Sequence, residues 1–297
     1  MDVSVIIVNY NTKQMTSDCI NSVFEHTKDI FFEVLLVDNG SKDGSVELFS
    51  KDTRIHFVES GSNIGFGRAN NLGYKHAKGK YIFFLNSDTL LLNNAIKLFH
   101  DKMEALPSNV SCIGTILINK DLENIHSYGE FPTFTRELIY RTFLNKVLKL
   151  FGYKSHYYDN PKRRKEQDFE VDFVTGADMF IRRKAFEQCS GFDSDFFMYF
   201  EDTDLQYRFK QNGYFQMITQ GPSIIHLLGG SKDKAQKRIL HKYALFLKSS
   251  FLYLKKHNLS ISYKLYRILF FFCSISFFFS PEYTFNDKVN YYKELLK

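Results

Sequence analysis

Four short apolar runs in the first ninety residues, three of them closed by a polar cluster, constrain this chain more than any other feature. Residues 3–8 form a β-branched run of the kind found in strands buried on both faces. Asn9-Tyr10-Asn11-Thr12 follows with turn and capping chemistry, and a helical stretch runs on through Phe24. Residues 34–37 form a second buried run, ended by Asp38-Asn39-Gly40-Ser41, and residues 55–58 a third. Residues 65–77 read as a helix, and residues 81–85 are a fourth strand, stopped by Asn86-Ser87-Asp88. Strands alternating with helices imply right-handed crossovers and a parallel sheet. Ligands of such sheets bind in the crevice at the carboxyl ends of the strands. The three polar clusters are therefore predicted to converge on one edge. Taken singly, Asn11 and Ser41 read better as helix caps, and so does a lone Asp88 after a strand.

The first turn lacks the Gly-x-Gly-x-x-Gly that a dinucleotide-binding dehydrogenase needs for close approach to a pyrophosphate. The glycines of Asn63-Ile64-Gly65-Phe66-Gly67 come one crossover too late. A diphosphate on this edge would need another counter-charge, and a carboxylate-held metal is the usual alternative. Asp88 sits where such a carboxylate would serve. A second acidic cluster, Glu201-Asp202-Thr203-Asp204, opens a helix predicted to run to about Asn212, with Gly213 as its stop. Acidic residues in a first turn favour the helix dipole, and Asp204 and Arg208 have the spacing of a surface ion pair. The aromatic run over residues 191–200 before it would wall a cleft. A carboxylate crowded by like charges and partly desolvated there has a raised pKa, which suits a general base. His226 ends an apolar strand over residues 223–225 and precedes Leu227-Leu228-Gly229-Gly230-Ser231, so it can reach a metal or a phosphate.

The 297 residues, 44% hydrophobic and 24% charged, suffice for one large α/β domain plus an appendage. Charge is uneven. From Lys232 onward there are 13 Lys or Arg against 4 Asp or Glu, so the tail is basic while the body is mildly acidic. A basic, Phe-rich tail points to an anionic surface such as a membrane or nucleic acid. Residues 136–151 are basic and amphipathic, readable as a helix packed on the core or as a lid facing membrane or acceptor. The basic segment Pro161-Lys162-Arg163-Arg164-Lys165 looks like a loop, and strands resume over residues 171–174 and 179–181. The apolar run over residues 268–279 falls short of the ~20 residues a membrane span requires. It reads as an interfacial or re-entrant helix, with burial in the core or a dimer interface as alternatives. Cys19, Cys112, Cys189 and Cys273 are too scattered for a zinc or redox motif, which fits a reducing cytosol. Met1-Asp2-Val3 starts a strand without the basic n-region of a signal peptide.

These residues resemble glycosyltransferase family 2. The resemblance is carried by the residue 3–11 strand and turn, by Val37-Asp38-Asn39-Gly40-Ser41 and by Asn63-Ile64-Gly65-Phe66-Gly67-Arg68-Ala69-Asn70-Asn71. Further along it rests on Leu85-Asn86-Ser87-Asp88-Thr89, the Gly176-Ala177-Asp178 segment through Arg183, Glu201-Asp202-Thr203-Asp204-Leu205 and the His226 segment. The order over residues 3–231 is that of the bacterial rhamnosyltransferase-like branch, which builds O-antigen, capsule and related polysaccharides. The resemblance implies a GT-A fold: a Rossmann-like, mostly parallel sheet flanked by helices, with a helical C-terminal appendage over residues 232–297. It implies a glycosyltransferase domain over residues 1–231, made of a nucleotide-binding half (1–110) and an acceptor half (111–231) with a variable insert near 130–170. It also implies an inverting displacement. Asp38 would contact the nucleobase, and Val8, Asn9, Asn11, Asn39, Gly65, Asn70, Asn86, Ser87 and Asp88 would line the donor site. Gly176, Ala177 and Asp178 would border sugar and acceptor. Asp202 would be the catalytic base with Glu201 beside it, and Asp88 and His226 would hold Mg²⁺ or Mn²⁺. The family's metal motif usually reads Asp-x-Asp. Asn86 replaces its first carboxylate, so Asp88 is expected to bind metal weakly without nucleotide.

On the same resemblance the donor is a nucleoside-diphosphate sugar, dTDP-rhamnose or a UDP-sugar. The acceptor is a saccharide, free or linked to a polyprenyl diphosphate, and the enzyme sits in the cytoplasm, peripheral on the inner face of the membrane. Homo-oligomerisation is open. The alternative is a catalytically silent nucleotide-sugar-binding subunit of an assembly complex, against which Asp202, Asp88 and His226 argue together. A nucleotidyltransferase would need an early glycine-rich, basic phosphate loop that residues 10–18 lack, and nucleic acid is not expected as a partner.

Overall fold

The computed structural model describes residues 1–141, 144–151, 167–227, 236–257, 268–272 and 284–296. The basic segment 161–165, residues 228–231 and the apolar run beyond residue 272 lie outside the described residues. In chain order the strands are β1 (Val3–Asn9), β2 (Phe32–Asp38), β3 (His56–Glu59), β4 (Tyr81–Asn86), β5 (Thr89–Leu91), β6 (Val110–Gly114), β7 (Tyr128–Gly129), β8 (Phe169–Val171), β9 (Phe173–Val174), β10 (Asp178–Arg182), β11 (Phe215–Ile218) and β12 (Ile224–His226). The helices are α1 (Lys13–His26), α2 (Ser45–Phe49), α3 (Phe66–Tyr74), α4 (Ala95–Ala105), α5 (Phe134–Arg141), α6 (Leu144–Leu150), α7 (Arg183–Gln188), α8 (Glu201–Gln211), α9 (Gln236–His257) and α10 (Phe285–Leu296).

Two units emerge. One comprises Met1–Glu130, Asn160–Phe197 and Glu201–Gly230, and the other Phe131–Asp159, Met198–Phe200 and Ser231–Lys297. The first is built on an eight-stranded sheet of order β3-β2-β1-β4-β10-β6-β11-β8. Strands β3, β2, β1 and β4 are mutually parallel, as alternation with helices predicts. Both faces of this sheet are covered. Val3, Val5 and Ile7 of β1 enter one apolar cluster, while Ile6 enters the other with Leu35, Ile82 and Phe84. That double burial explains why the strands read as unbroken apolar runs. β10 runs antiparallel to both β4 and β6, β6 pairs parallel with β11, and β8 closes the edge antiparallel.

Element limits move by a few residues from the predicted ones. The helix expected over residues 65–77 ends at Tyr74, and Gly65 stays outside it as the N-cap. β10 is longer than the predicted residues 179–181.

In the second unit the amphipathic stretch 136–151 forms α5 and α6. Buried Ser250 of α9 donates to buried Glu137 of α5 at 2.7 Å. The Phe251 ring of α9 meets that of Phe270 at 5.2 Å, and Phe271 meets Tyr292 of α10 at 5.3 Å. Leu150, Phe151, Phe272 and Phe285 are exposed. Among the described residues no helix is long and apolar enough to cross a membrane.

The start of β4 is packed tightly against β1. The Gly79 amide donates to Ser4 Oγ at 2.7 Å, and a Cβ on Gly79 would lie 2.4 Å from the Ser4 nitrogen and 2.6 Å from the Val3 carbonyl carbon. Neither is a flexible side-chain end, so one strand must move. Gly79→Ala should therefore cost about 1–3 kcal/mol, as overpacking does. Thermal unfolding of the variant beside the wild type reads this, and an unchanged melting temperature would show that the strands yield freely.

Candidate active site

The register of the parallel strands brings three strand ends to one edge. Asn9 pairs with Asp38, and Val8 pairs with Asn86, so β1, β2 and β4 end together. Asn9 and Asp38 are buried there. Asn9 Nδ2 donates to Asp38 Oδ2 at 2.7 Å and to Ser41 Oγ at 3.0 Å, while its Oδ1 accepts from the Thr12 and Thr16 hydroxyls. Asp38 Oδ1 accepts the amides of Gly40 and Ser41. Buried Asn39 accepts the Ile64 amide at 3.0 Å and so ties the loop after β2 to the glycine segment. The Ser87 and Thr12 hydroxyls lie 3.2 Å apart and join the β1 and β4 loops.

Asn11 and Ser41 are not helix caps, contrary to their reading one at a time. Asn11 has a left-handed backbone (φ 54°), its amide donates to Ser41 Oγ at 3.0 Å, and its side chain accepts the Lys42 amide at 2.7 Å. The two residues stitch neighbouring loops together, which local spacing does not reveal. Asp88 is not a helix cap either. It lies in the turn between β4 and β5, and the next helix begins at Ala95.

β5 and β12 form a separate antiparallel pair in which His226 faces Thr89. The Leu227 amide donates to the Asp88 carbonyl at 2.9 Å, and His226 Nε2 lies 3.2 Å from Asp88 Oδ1. His226 Nδ1 is buried and has no hydrogen-bond partner among the described residues. A carboxylate and an imidazole side by side are a donor set that suits Mn²⁺, and Mg²⁺ through the oxygens. Among the described residues no group of three or more His, Cys, Asp or Glu side chains is arranged to hold a metal alone. Beyond these two, the described residues leave further ligands to a bound molecule and water.

The antiparallel direction of β10 completes the site. Its first residue, Asp178, faces Leu85 near the end of β4, and the Asn86 amide donates to the Ala177 carbonyl at 3.0 Å. Gly176 and Ala177 are thereby brought beside Asn86. The Gly176 amide donates to Asp202 Oδ2 at 2.8 Å, and Asp202 Oδ1 accepts the Thr203 amide at 2.7 Å. Both oxygens of Asp202 are therefore oriented by backbone. Burial raises the Asp202 carboxyl above its ordinary value, against the pull of those two amides. Glu201 is more deeply enclosed, and its Oε2 has no hydrogen-bond partner among the described residues. Burial, aided by the Asp202 charge, pushes its carboxyl up to about 8.

Asp178 does not border this site by its side chain. It is fully buried, accepts the Thr115 amide at 2.7 Å, and burial lifts its carboxyl well above the carboxylate range. The Asp204–Arg208 pair forms at 2.7 Å, but Asp204 is fully buried rather than on the surface. Arg208 also donates to the carbonyls of Cys189 and Gly191, so the pair anchors α8 to the loop before it.

The Gly65–Asn71 motif has a structural task that its spacing did not disclose. Asn71 takes both backbone groups of Phe192, donating to its carbonyl at 2.7 Å and accepting its amide at 3.0 Å. Arg68 Nε donates to the Ser194 carbonyl at 2.7 Å, and the Phe66 amide to that of Phe197 at 3.0 Å. Gly65 has φ +90°, and any Cβ there would lie 2.3 Å from the Phe197 oxygen. Asn70 turns back onto the Phe66 carbonyl and is buried. The motif thus holds the aromatic loop that leads to Glu201 and Asp202. Asn71 and Arg68 are the residues that sequence reasoning missed, and paired polar residues flanking Gly65 and Gly67 were the available signal.

A mixed sheet whose parallel half ends beside the Asp88–His226 pair, and whose antiparallel strand β10 brings Gly176 against Asp202 of α8, has the GT-A glycosyltransferase fold. The mannosyltransferase PcManGT from Pyrobaculum calidifontis, solved in complex with GDP-Man and Mn²⁺, superposes with a TM-score of 0.57 at 14% identity, covering 99% of this chain and 79% of that one. The chain belongs to glycosyl transferase family 2, whose model matches residues 4–190. An uncharacterized glycosyltransferase of Rickettsia felis is 38% identical over 131 residues, 42% of this chain and 21% of its own length. The chain thus spans about a fifth of that relative. The N-acetylglucosaminyl-diphospho-decaprenol L-rhamnosyltransferase of Mycobacterium tuberculosis is 24% identical over 230 residues, 72% of this chain and 73% of that one.

The raised Glu201 carboxyl has a stability consequence. Its native value of about 8 exceeds the unfolded value of about 4.3, so the stability it contributes is full below the unfolded value and is lost as pH rises towards about 8. Glu201→Gln removes this loss. The melting temperature of the variant should gain on the wild type between about pH 5 and about pH 8. A difference that stays constant over that range would mean that Glu201 is ionised in the native state.

Proposed function

We propose that this glycosyltransferase moves a sugar, with inversion, from a nucleoside diphosphate to a saccharide or a polyprenyl-diphosphate-linked acceptor. The observation that carries the reading is the placement of Asp88 and His226 within 3.2 Å at the carboxyl edge of the parallel strands. A diphosphate on that edge meets no glycine-rich turn and no early basic loop, so its charge needs these two residues. They would hold Mn²⁺ or Mg²⁺ together with the phosphate oxygens, and the bound ion would neutralise the departing diphosphate. One carboxylate and one imidazole are a weak site alone, so metal and nucleotide bind together. Asn9, Asp38 and Asn39 shape the nucleotide pocket, with Asp38 toward the base, Val8, Asn11, Asn70 and Gly65 around it, and Asn86 and Ser87 at the diphosphate.

Asp202 is the general base. Its carboxylate is fixed by Gly176 and Thr203, and its raised pKa makes it a better proton acceptor than a solvated Asp. It takes the proton of the acceptor hydroxyl as that oxygen attacks the anomeric carbon opposite the departing diphosphate. Glu201, neutral at pH 7, leaves Asp202 free to be the anion. On the branch resemblance dTDP-rhamnose is the first candidate donor, with UDP-sugars next. A place in surface-polysaccharide synthesis, in the cytoplasm at the inner face of the membrane, fits the basic tail.

Asp202→Asn should abolish transfer while nucleotide binding stays nearly intact. In thermal-shift measurements, dTDP, UDP and GDP with their sugars should stabilise the wild type and Asp202→Asn alike, more with Mn²⁺ than without, and Asp88→Ala should lose the Mn²⁺ increment. Substantial transfer by Asp202→Asn sinks the base, and an unchanged increment in Asp88→Ala sinks the metal ligand.

Exposed Leu150, Phe151 and Phe272, beside the basic charge of the tail, suit an anionic bilayer surface. The full chain should float with anionic phospholipid vesicles, and Leu150→Glu with Phe272→Glu should reduce that recovery severalfold. Equal flotation of both chains removes the membrane role.

A further inference from the structure

We infer that helix α9 positions the catalytic carboxylate. Through Phe246, Ser249 and Tyr253 it holds Met198-Tyr199-Phe200, the tripeptide that leads directly into Glu201 and then Asp202, with Tyr199 and Phe200 in a left-handed backbone. The inference rests on Asp202 being the base.

Tyr199 and Phe200 have φ of 69° and 66°. Two consecutive bulky residues in the left-handed region are rare, because Cβ crowds the following carbonyl oxygen. Such a conformation persists only where its surroundings over-determine it. Here the surroundings come from α9. Ser249 Oγ donates to the Met198 carbonyl at 2.6 Å. The Phe246 ring stands 5.5 Å from that of Tyr199 and 5.0 Å from that of Phe200. The Tyr253 ring is 5.6 Å from Phe200. Residues 246, 249 and 253 share one face of the helix by their i, i+3, i+7 spacing. Ser249, Tyr253 and Phe200 are buried, so water competes little for these contacts.

The dihedrals of Phe200 set the direction in which the chain enters α8, and Asp202 is the second residue of that helix. A return of Phe200 to the ordinary β or α region would re-aim Glu201 and Asp202 together. A misplacement of about 1 Å in a catalytic group can cost about a hundredfold in rate. A purely membrane-binding tail needs neither a serine aimed at the Met198 carbonyl nor an aromatic ring shared by two left-handed residues. One face of α9 thus holds the segment that leads into Glu201 and Asp202.

The test compares Ser249→Ala, Ser249→Thr and Phe246→Leu/Ser249→Ala with the wild-type full chain. Amide hydrogen exchange over residues 198–205 should be faster in Ser249→Ala and fastest in the double variant, with exchange in β1 and β2 unchanged. Transfer kinetics use whichever of dTDP-rhamnose, UDP-glucose and GDP-mannose gives the largest thermal shift, with a lipid-diphosphate-linked saccharide as acceptor. In the double variant kcat should fall by about tenfold to a hundredfold while donor KM stays within about twofold. Ser249→Thr, which keeps the hydroxyl, should restore most of the rate lost in Ser249→Ala. Wild-type exchange over residues 198–205, or wild-type kcat with exchange accelerated, overturns the inference when Asp202→Asn is inactive in the same assay. Activity in Asp202→Asn instead convicts the base assignment. If the double variant does not fold, exchange in Ser249→Ala decides.

Discussion

The antiparallel pairing of β10 with β4 is the constraint on which the site depends. Had β10 joined in the parallel sense, its amino end would lie at the far edge of the sheet, with Gly176 and Ala177 remote from Asn86. Running antiparallel, it returns them to the edge where β1, β2 and β4 end. The Asn86–Ala177 hydrogen bond fixes that junction at 3.0 Å, and the Gly176 amide then reaches Asp202. The pairing is secured by burial as much as by hydrogen bonds. Phe180 lies fully buried between Tyr81, Phe83 and Phe99, with ring centroids 5.3–5.8 Å away. Sliding β10 by one residue would turn Phe180 to the opposite face and expose the mismatch across the whole core.

What the sequence disclosed follows from the range of each interaction. Strands buried on both faces announce themselves by unbroken apolar runs, and their ends by clusters of Asn, Asp and Gly, so β1, β2, β3 and β4 and their polar edge were legible. The direction of β10 was not, because a strand's sense is set by the route of the chain between sheet positions rather than by its own residues. Capping was the wrong account of Asn11 and Ser41 for a related reason. Both have the chemistry of a cap, but their partners lie about thirty residues away, in each other's loops. Spacing correctly paired Asp204 with Arg208 yet misplaced the pair on the surface, since burial depends on what α8 packs against.

The glycine segment shows how one motif can bear on two parts of a site. Its resemblance pointed to nucleotide contact, whereas Asn71, Arg68 and the Phe66 amide all grasp the backbone of residues 192–197. Those bonds take up backbone groups of an irregular loop that would otherwise be costly to bury. Gly65 and Gly67 permit the approach, the first by its left-handed φ and the second by leaving room for Phe192 and Glu201. An insertion in the glycine segment would thus loosen the helix that carries Asp202, the proposed base, without touching a ligand.

The two adjacent carboxylates of α8 divide their work by environment. Glu201 and Asp202 are neighbours in sequence, yet Asp202 accepts the amides of Gly176 and Thr203, whereas Glu201 Oε2 has no hydrogen-bond partner among the described residues. Burial favours the proton of Glu201. Were both ionised, two negative charges would share a poorly solvated region, at a cost that grows as the local dielectric falls. Keeping Glu201 neutral removes that repulsion and favours the charge on Asp202, whose carboxyl burial holds above that of a solvated Asp. Burial raises the Asp178 carboxyl in the same direction, beneath the Asn86–Ala177 junction. On the proposed reading, Asp202 takes the acceptor proton while Asp88 with His226 answers the charge of the leaving group. That separation of acid–base and charge-neutralising tasks is what a displacement at a sugar carbon requires of the protein.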